Sequence, residues 1–465
     1  MDGNSYNSYG SYNNNYNNYN NPNNYVPYEA PGTSGAENNT PTRGRGLSQR
    51  PVLMGVVFAI IGILIGGLGC FGIMKTVGEN KCEECNCPVA PKPINSTALN
   101  TNFLKMEVAD KNMVYSPLSI RYGLSLLDAG AAGETKEQIE NVLGEDELPL
   151  YENIPDVLSL ANAAFIKNTY QDDVLPSYIK RVTNDYNAEV FYDPFTSTEK
   201  MDTWVKQKTF NLIDSIGVQL TQNTEMVLAN ALAIQMDWLH KFNTDNTFGM
   251  TFYKEDESEI LATMMRMDTT DEDISYYVDD NVTMLKMPLA PTEEAALDFV
   301  AVMPAGGLTN YINNLDFETI ETALSKMTPA SKNQDGLKIY IPKFKFEYEL
   351  DFKNDLEKLG ITDAFDTNNA DFSKMAVNND LYVSDAVHKA NIDFSEEGIK
   401  AAAITVFAMD IKSALPEKEP QPVVINIDRP FYFMIRDSKN DTVWFSGAVY
   451  EPNLWENDMA SYQAG

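Results

Sequence analysis

The segment "LKIYIPKFKFEYEL" places apolar residues at Leu337, Ile339 and Ile341 and then, after a slip at Pro342, at Phe344, Phe346, Tyr348 and Leu350. A period of two predicts strands, and the slip predicts a bulge between two strand segments. The stretch "VVINIDRPFYFMIRDSKNDTVWFSGAVY" predicts further strands around a polar turn at Ser438 to Asp441. Two more apolar runs, "LSLANAAFIKN" and "TEMVLANALAIQMDW", are bounded by polar turns. In "GETKEQIENVLG" the spacing is helical, with Thr135 and Gln138 as a capping box and Gly144 as the stop. Early helices, then strands mixed with helices, and no βαβ rhythm predict an α+β domain over residues 100–455, with a short tail at 456–465.

The stretch "SEEGIKAAAITVFAMDIKSALP", residues 395–416, fits neither a plain helix nor a plain loop. Between Ile399 and Ile411 it holds one Lys, one Asp and one Thr among ten apolar residues, with no Gly or Pro. As a helix it would be apolar on every side. At period two it separates cleanly. Ile399, Ala401, Ala403, Thr405, Phe407, Met409 and Ile411 form an uncharged face, while Lys400, Asp410 and Lys412 fall on the other. That is a strand with one face ready for burial.

The first hundred residues have a different character. Residues 1–50 begin with an Asn/Tyr-rich tract that has no apolar periodicity and is expected to be disordered. Pro51 to Met74 is a 24-residue stretch without a charge. That is long enough for a transmembrane signal anchor and longer than the apolar part of a signal peptide. Arg43, Arg45 and Arg50 before it imply a cytoplasmic N-terminus, a single-pass topology and an extracellular remainder. Residues 75–99 read as a stalk carrying Cys82, Cys85 and Cys87. Three thiols without a nearby fourth ligand do not make a closed zinc site, but they permit a disulfide-linked dimer. Gly62 and Gly66 give the spacing of a span-paired one.

The net charge of −32 lies wholly beyond residue 100, because the first hundred residues carry six acidic and six basic side chains. Such a surface repels phosphate backbones and excludes nucleic acid as a partner. The chain has two His, His240 and His388, and none of the local signatures of metalloproteases, serine hydrolases or nucleotide-binding enzymes. No catalysis, cofactor or metal is expected.

These segments together resemble the serpin family. "EEGIKAAAIT" is similar to the hinge of the serpin reactive-centre loop. "YSPLSIRYGLSLL" resembles the Ser-Pro-x-Ser helix, with Ser116 and Ser119, and "LANALAIQMDW" the strand with Asn230 and Trp238. "VHKANIDFSEEG" resembles the strand leading into the loop, with His388, and "DRPFYFMIRD" and "VWFSGAV" the C-terminal signature. The resemblance implies a serpin fold, a large central mixed sheet with smaller sheets and helices, here in a membrane-anchored member of bacterial type. It also implies a suicide substrate for serine proteases, whose cleaved loop inserts into the sheet. The hinge would be Glu396, Glu397, Gly398, Ile399, Ala401, Ala403 and Thr405. The structural switch would involve Ser116, Ser119, Asn230, Trp238 and His388. Counting from Glu396 puts the reactive bond at Lys412–Ser413, which suits trypsin-like proteases. Cleavage after Met409 or Ala408 would suit chymotrypsin- or elastase-like ones. Ile399 stands where the family usually has a small polar residue, which predicts slower insertion. The alternatives are a non-inhibitory binding serpin or a surface structural protein.

Overall fold

The computed structural model describes residues 96–144, 147–378, 380–399 and 421–455. The chain divides into two compact units, Met1–Pro88 and Val89–Gly465, and every described residue belongs to the second.

Its centre is a seven-stranded antiparallel sheet. The strands run in the order Met113–Tyr115, Val443–Val449, Phe431–Asp437, Leu297–Pro304, Val282–Pro288, Ser275–Val278 and Thr328–Pro329. The three long central strands are buried along their whole length. Their alternate residues feed two different cores. Tyr432, Met434 and Ala448 pack with the helices Ser96–Glu107 and Pro117–Asp128. Phe431, Phe433, Ile435 and Val449 pack with the opposite layer. A continuous apolar run here means a strand covered on both faces.

A second sheet has the order Val423–Asn426, Leu337–Pro342, Glu259–Thr269 and Thr247–Tyr253, the first pair parallel. The third is split. We number its strands in chain order: β1 Leu158–Lys167, β2 Ala188–Asp193, β3 Met226–Ile234, β4 Met236–Asp237, β5 Phe344–Leu350, β6 His388–Phe394 and β7 Gly398–Ile399. One part runs β2-β1-β3 and the other β5-β6-β7-β4. Since β4 follows β3 after a single residue, the parts share one extended segment, Met226–Asp237.

Two local expectations are corrected. The slip at Pro342 is not a bulge within one sheet. Leu337–Pro342 ends there and β5 begins at Phe344 in a different sheet, so Lys343 is a crossing point. The capping box of Thr135 and Gln138 does not form, because the helix starts earlier, at Gly133 after Ala132. Thr135 is buried inside it and accepts from Asp371 N at 3.0 Å. Gln138 Oε1 accepts from the backbone N–H groups of Thr362 and Asp363, both at 2.9 Å. Tertiary partners outbid the local cap. Gly144 does stop the helix, with φ at +76°.

The membrane anchor is corrected as well. Spanning a bilayer takes about 20 consecutive apolar helical residues. Among the described residues no helix is long and apolar enough to cross a membrane, and the longest have 12 residues. The segment Pro51–Met74 lies outside the described residues, as do the tail, the stalk and its cysteines. Among the described residues the fold is the α+β domain, and no helix in it is of transmembrane length. Single-pass topology, the extracellular side, the membrane as partner and the span-paired dimer are withdrawn with the anchor.

The Gln138 contact is testable. Gln138→Leu strands two N–H groups and should lower stability by about 1–3 kcal/mol in urea unfolding. Gln138→Glu, which keeps the acceptor, should lose much less. Equal losses in the two variants would refute this role.

Candidate functional site

The site is the seam of the split sheet. β6 pairs with β5 on one edge and β3 pairs with β1 on the other. Their remaining edges face each other with no strand between them among the described residues, except at one end. There β7 pairs antiparallel with both sides: Phe394 with Ile399, Gly398 with Asp237 and Ile399 with Met236. Below this two-residue plug lies a cavity of about 550 Å³, lined by Ser116, Ser119, Asn230, Leu232, His388 and Ala390 among others. A smaller one of about 30 Å³ lies directly under Ile399, between Leu232–Ile234 and Ala390–Asp393. Protein interiors rarely leave voids much larger than a water molecule.

The plug is held from several directions. Gly398 has φ at +153°, and a Cβ there would lie 2.2 Å from Met236 O. Glycine is required by both conformation and space. Ile399 is 4 % exposed and joins the core of Phe344, Ile392 and Phe394. Trp238 Nε1 donates to Ser395 O at 2.8 Å, Trp238 N to Glu397 O at 2.9 Å, and Phe242 N to Glu396 O at 3.1 Å. The Trp238 ring packs edge-on against Phe394 at 5.1 Å between centroids.

Charge reinforces this. The buried Glu396 carboxylate meets Lys343 Nζ at 2.7 Å and accepts from Thr247 Oγ1 at 2.7 Å. Burial alone would raise its pKa, but the Lys343 ammonium, the Thr247 hydroxyl and its own backbone N–H outweigh it and hold it below the ordinary glutamate value. Glu397 and Asp237 flank Lys241 Nζ, each at 2.8 Å.

At the other end of the cavity Ser116, Ser119, Asn230 and His388 form one polar cluster. Ser116 caps the helix Pro117–Asp128 by accepting from Ser119 N, and its Oγ donates to Trp444 O at 2.6 Å. Ser116 N donates to His388 Nε2 at 3.0 Å, so the imidazole carries its proton on Nδ1. Ser119 Oγ bonds to Asn230 Oδ1, and Asn230 Nδ2 donates to Asn162 Oδ1 at 2.8 Å. Burial pushes His388 down from 6.5 to about 4 and keeps it neutral.

The residues expected of the switch therefore fall into two places. Four gather at the cluster, while Trp238 stands at the plug. Of the hinge, Glu396 to Ile399 lie in the described structure. Ala401, Ala403, Thr405, Lys412 and Ser413 lie outside the described residues. Lys343, Thr247 and Lys241 were not anticipated, because Glu396 and Glu397 sit over fifty residues away, and Asp237 enters only through Lys241, four residues along. Asn162 had a visible signal, a lone amide in an apolar run. The expected handicap of Ile399 also changes meaning, because it is already seated.

Comparison with known proteins places this architecture. The family model described as serpin, serine protease inhibitor, matches residues 96–452. Iripin-8 of Ixodes ricinus is 28 % identical over 376 residues, covering 76 % of this chain and 91 % of its own. A leukocyte elastase inhibitor of Xenopus tropicalis is 28 % identical over 372 residues, covering 74 % and 94 %. Neither comes from a bacterium, and the bacterial source expected from the sequence is withdrawn. The crystal structure of tengpin, a thermophilic serpin, in its native state matches with a TM-score of 0.65 at 26 % identity, covering 81 % of this chain and 96 % of tengpin.

Because the folded pKa of His388 lies below its free value, the unfolded chain binds the extra proton on acidification. Stability from this group is full above pH 6.5 and falls as the pH drops toward about 4. His388→Gln should flatten that slope in urea unfolding between pH 7 and 4. An unchanged slope would show that the imidazole is not held neutral.

Proposed function

The chain belongs to the serpin family, and we propose that its domain, residues 100–455, inhibits a serine protease as a suicide substrate. It is not an enzyme, because family membership carries a non-catalytic mode of action. The observation that carries the inhibitory reading is the plug: a two-residue strand clasped between β6 and β4 above a slot that holds no strand among the described residues. The same segment continues into the alternating stretch after Ile399.

Continuing both pairings two residues at a time gives the inserted register. Ala401 would lie between Ile392 and Ile234, Ala403 between Ala390 and Leu232, and Thr405 between His388 and Asn230. Small residues meet the narrow upper slot, and the one hydroxyl on the inward face arrives at the polar cluster. The new strand would be antiparallel to both neighbours and would satisfy both facing edges. Ile399 is already buried, so the apolar gain comes from Phe407, Met409 and Ile411, at roughly 1.5–3 kcal/mol each.

Cleavage makes this movement available. The protease serine hydroxyl attacks the carbonyl carbon of the bait residue, the peptide bond breaks, and the amine leaves with a proton. The bait carbonyl is then esterified to the protease. Freed at that point, the chain up to the bait can enter the slot and carry the acylated protease with it. The proposed bond is Lys412–Ser413, whose ammonium suits an acidic primary pocket. The register is supported by the count from Glu396, and the residues themselves lie outside the described structure.

Two variant sets test the reading. Ala403→Arg and Thr405→Arg would bury an unpaired guanidinium in the slot. They should convert the inhibitor into a substrate that is fully cleaved without an SDS-stable complex. Ala402→Arg, on the other face, should still trap protease. Equal trapping by Ala402→Arg and Ala403→Arg would refute insertion in this register. Separately, Lys412→Ala should slow association with trypsin-like proteases about tenfold or more. An unchanged rate would move the bait toward Met409.

A further inference from the structure

The helix Phe352–Lys358, which follows β5, places a carboxyl group on its buried face. Asp355 is fully buried. Its Oδ1 accepts from Lys358 Nζ at 3.1 Å, one turn along. Its Oδ2 is buried and finds no donor among the described residues. The group within hydrogen-bonding reach is another carboxyl, that of Glu107 at the end of the helix Ser96–Glu107. Glu107 already accepts from the Tyr348 hydroxyl on β5.

The remaining charged and titratable neighbours are few, and one of them is the buried Tyr115 near Glu107, whose hydroxyl bonds to Asn100. Lys111 lies over the Tyr348 ring, 5.0 Å from its centroid. Lys353 is turned to the Phe365 ring at 5.2 Å. On β6, His388 lies 5.9 Å from the Phe352 ring and is neutral. One direct ammonium thus faces two carboxyls. Two carboxylates in contact at a buried site do not both ionise readily, whereas a proton between them supplies the donor that Oδ2 lacks. Burial first, with the Glu107 charge adding to it against the pull of Lys358, pushes Asp355 up to about 6.

We propose that a protonated Asp355 donates to the Glu107 carboxylate and that the two act as an acid-tightened clasp joining the helix Ser96–Glu107 and β5 to the helix Phe352–Lys358. The clasp is tight when the pair holds the proton and loosens when both carboxyls are charged. For a carboxyl raised in the folded state, the stabilising contribution is full below its ordinary value of 3.8 and is lost as pH rises through about 6. Glu396 and His388 act in the opposite sense, so the wild-type pH profile alone cannot isolate the clasp.

Asparagine isolates it, since its amide can donate to Glu107 at every pH. Thermal unfolding of the full chain and of Asp355→Asn is to be compared at pH 5.5 and pH 8. The melting temperature of Asp355→Asn relative to wild type should rise by about 2 °C or more between these values. Glu107→Gln should behave the same way. A difference that does not change with pH in either variant would overturn the proposal. If neither variant folds, infrared titration of the wild type decides. A protonated carboxyl C=O band that disappears with a midpoint near pH 6 supports the clasp, and its absence at pH 5.5 refutes it.

Discussion

Two strand edges, those of β3 and β6, face each other across a slot that only Gly398 and Ile399 enter among the described residues. An open edge inside a domain leaves backbone donors and acceptors without ladder partners. It persists here because each half of the sheet is anchored elsewhere. β6 is registered along seven residues of β5, and β3 along nine of β1. The halves are joined through Met226–Asp237 and held at the top by the plug. The proposed mechanism draws on this arrangement, because a strand that enters completes both edges together.

The plug shows how the resting state is kept. Its contacts are modest singly: one required glycine, one buried isoleucine, three backbone or indole hydrogen bonds and two sets of ion pairs. Together they hold the start of the loop in the register that insertion would extend. In the proposed mechanism the first step into the slot is thus already taken before cleavage. A bulky β-branched residue at that position works as an anchor, and its burial joins the core that packs beneath the central sheet.

Protons act on this frame in opposite directions. Neutral His388 and ionised Glu396 are both disfavoured by acid, one because it is buried uncharged and the other because its charge is paired. Asp355 with Glu107 is favoured by acid, because burial raises a carboxyl that has too few cations around it. All three lie on or beside β5 and β6, so pH redistributes stability within the same half of the sheet.

Much of this was legible in the sequence. A period-two run marked Leu337–Pro342 and β5, the polar turn at Ser438 to Asp441 marked the C-terminal hairpin, and the order of short motifs marked the serpin domain. The uncharged face starting at Ile399 was visible because strand alternation is a local property. An apolar 24-residue run was also visible, but apolarity and length say what a segment could do in a bilayer, not that it does so. Local pattern misjudged Thr135 and Gln138, since a capping box competes with partners over two hundred residues away. It missed Lys343, Thr247 and Lys241, because ion pairs between distant segments leave no periodic trace. By itself the sequence determined which residues alternate, which turns break the chain and which family the motifs belong to. Only the tertiary structure decided that Lys343 crosses between sheets, that Trp238 serves the plug and not the polar cluster, and that Ile399 is seated. Those outcomes depend on which edges meet in space, and edge pairing is fixed by packing between remote segments.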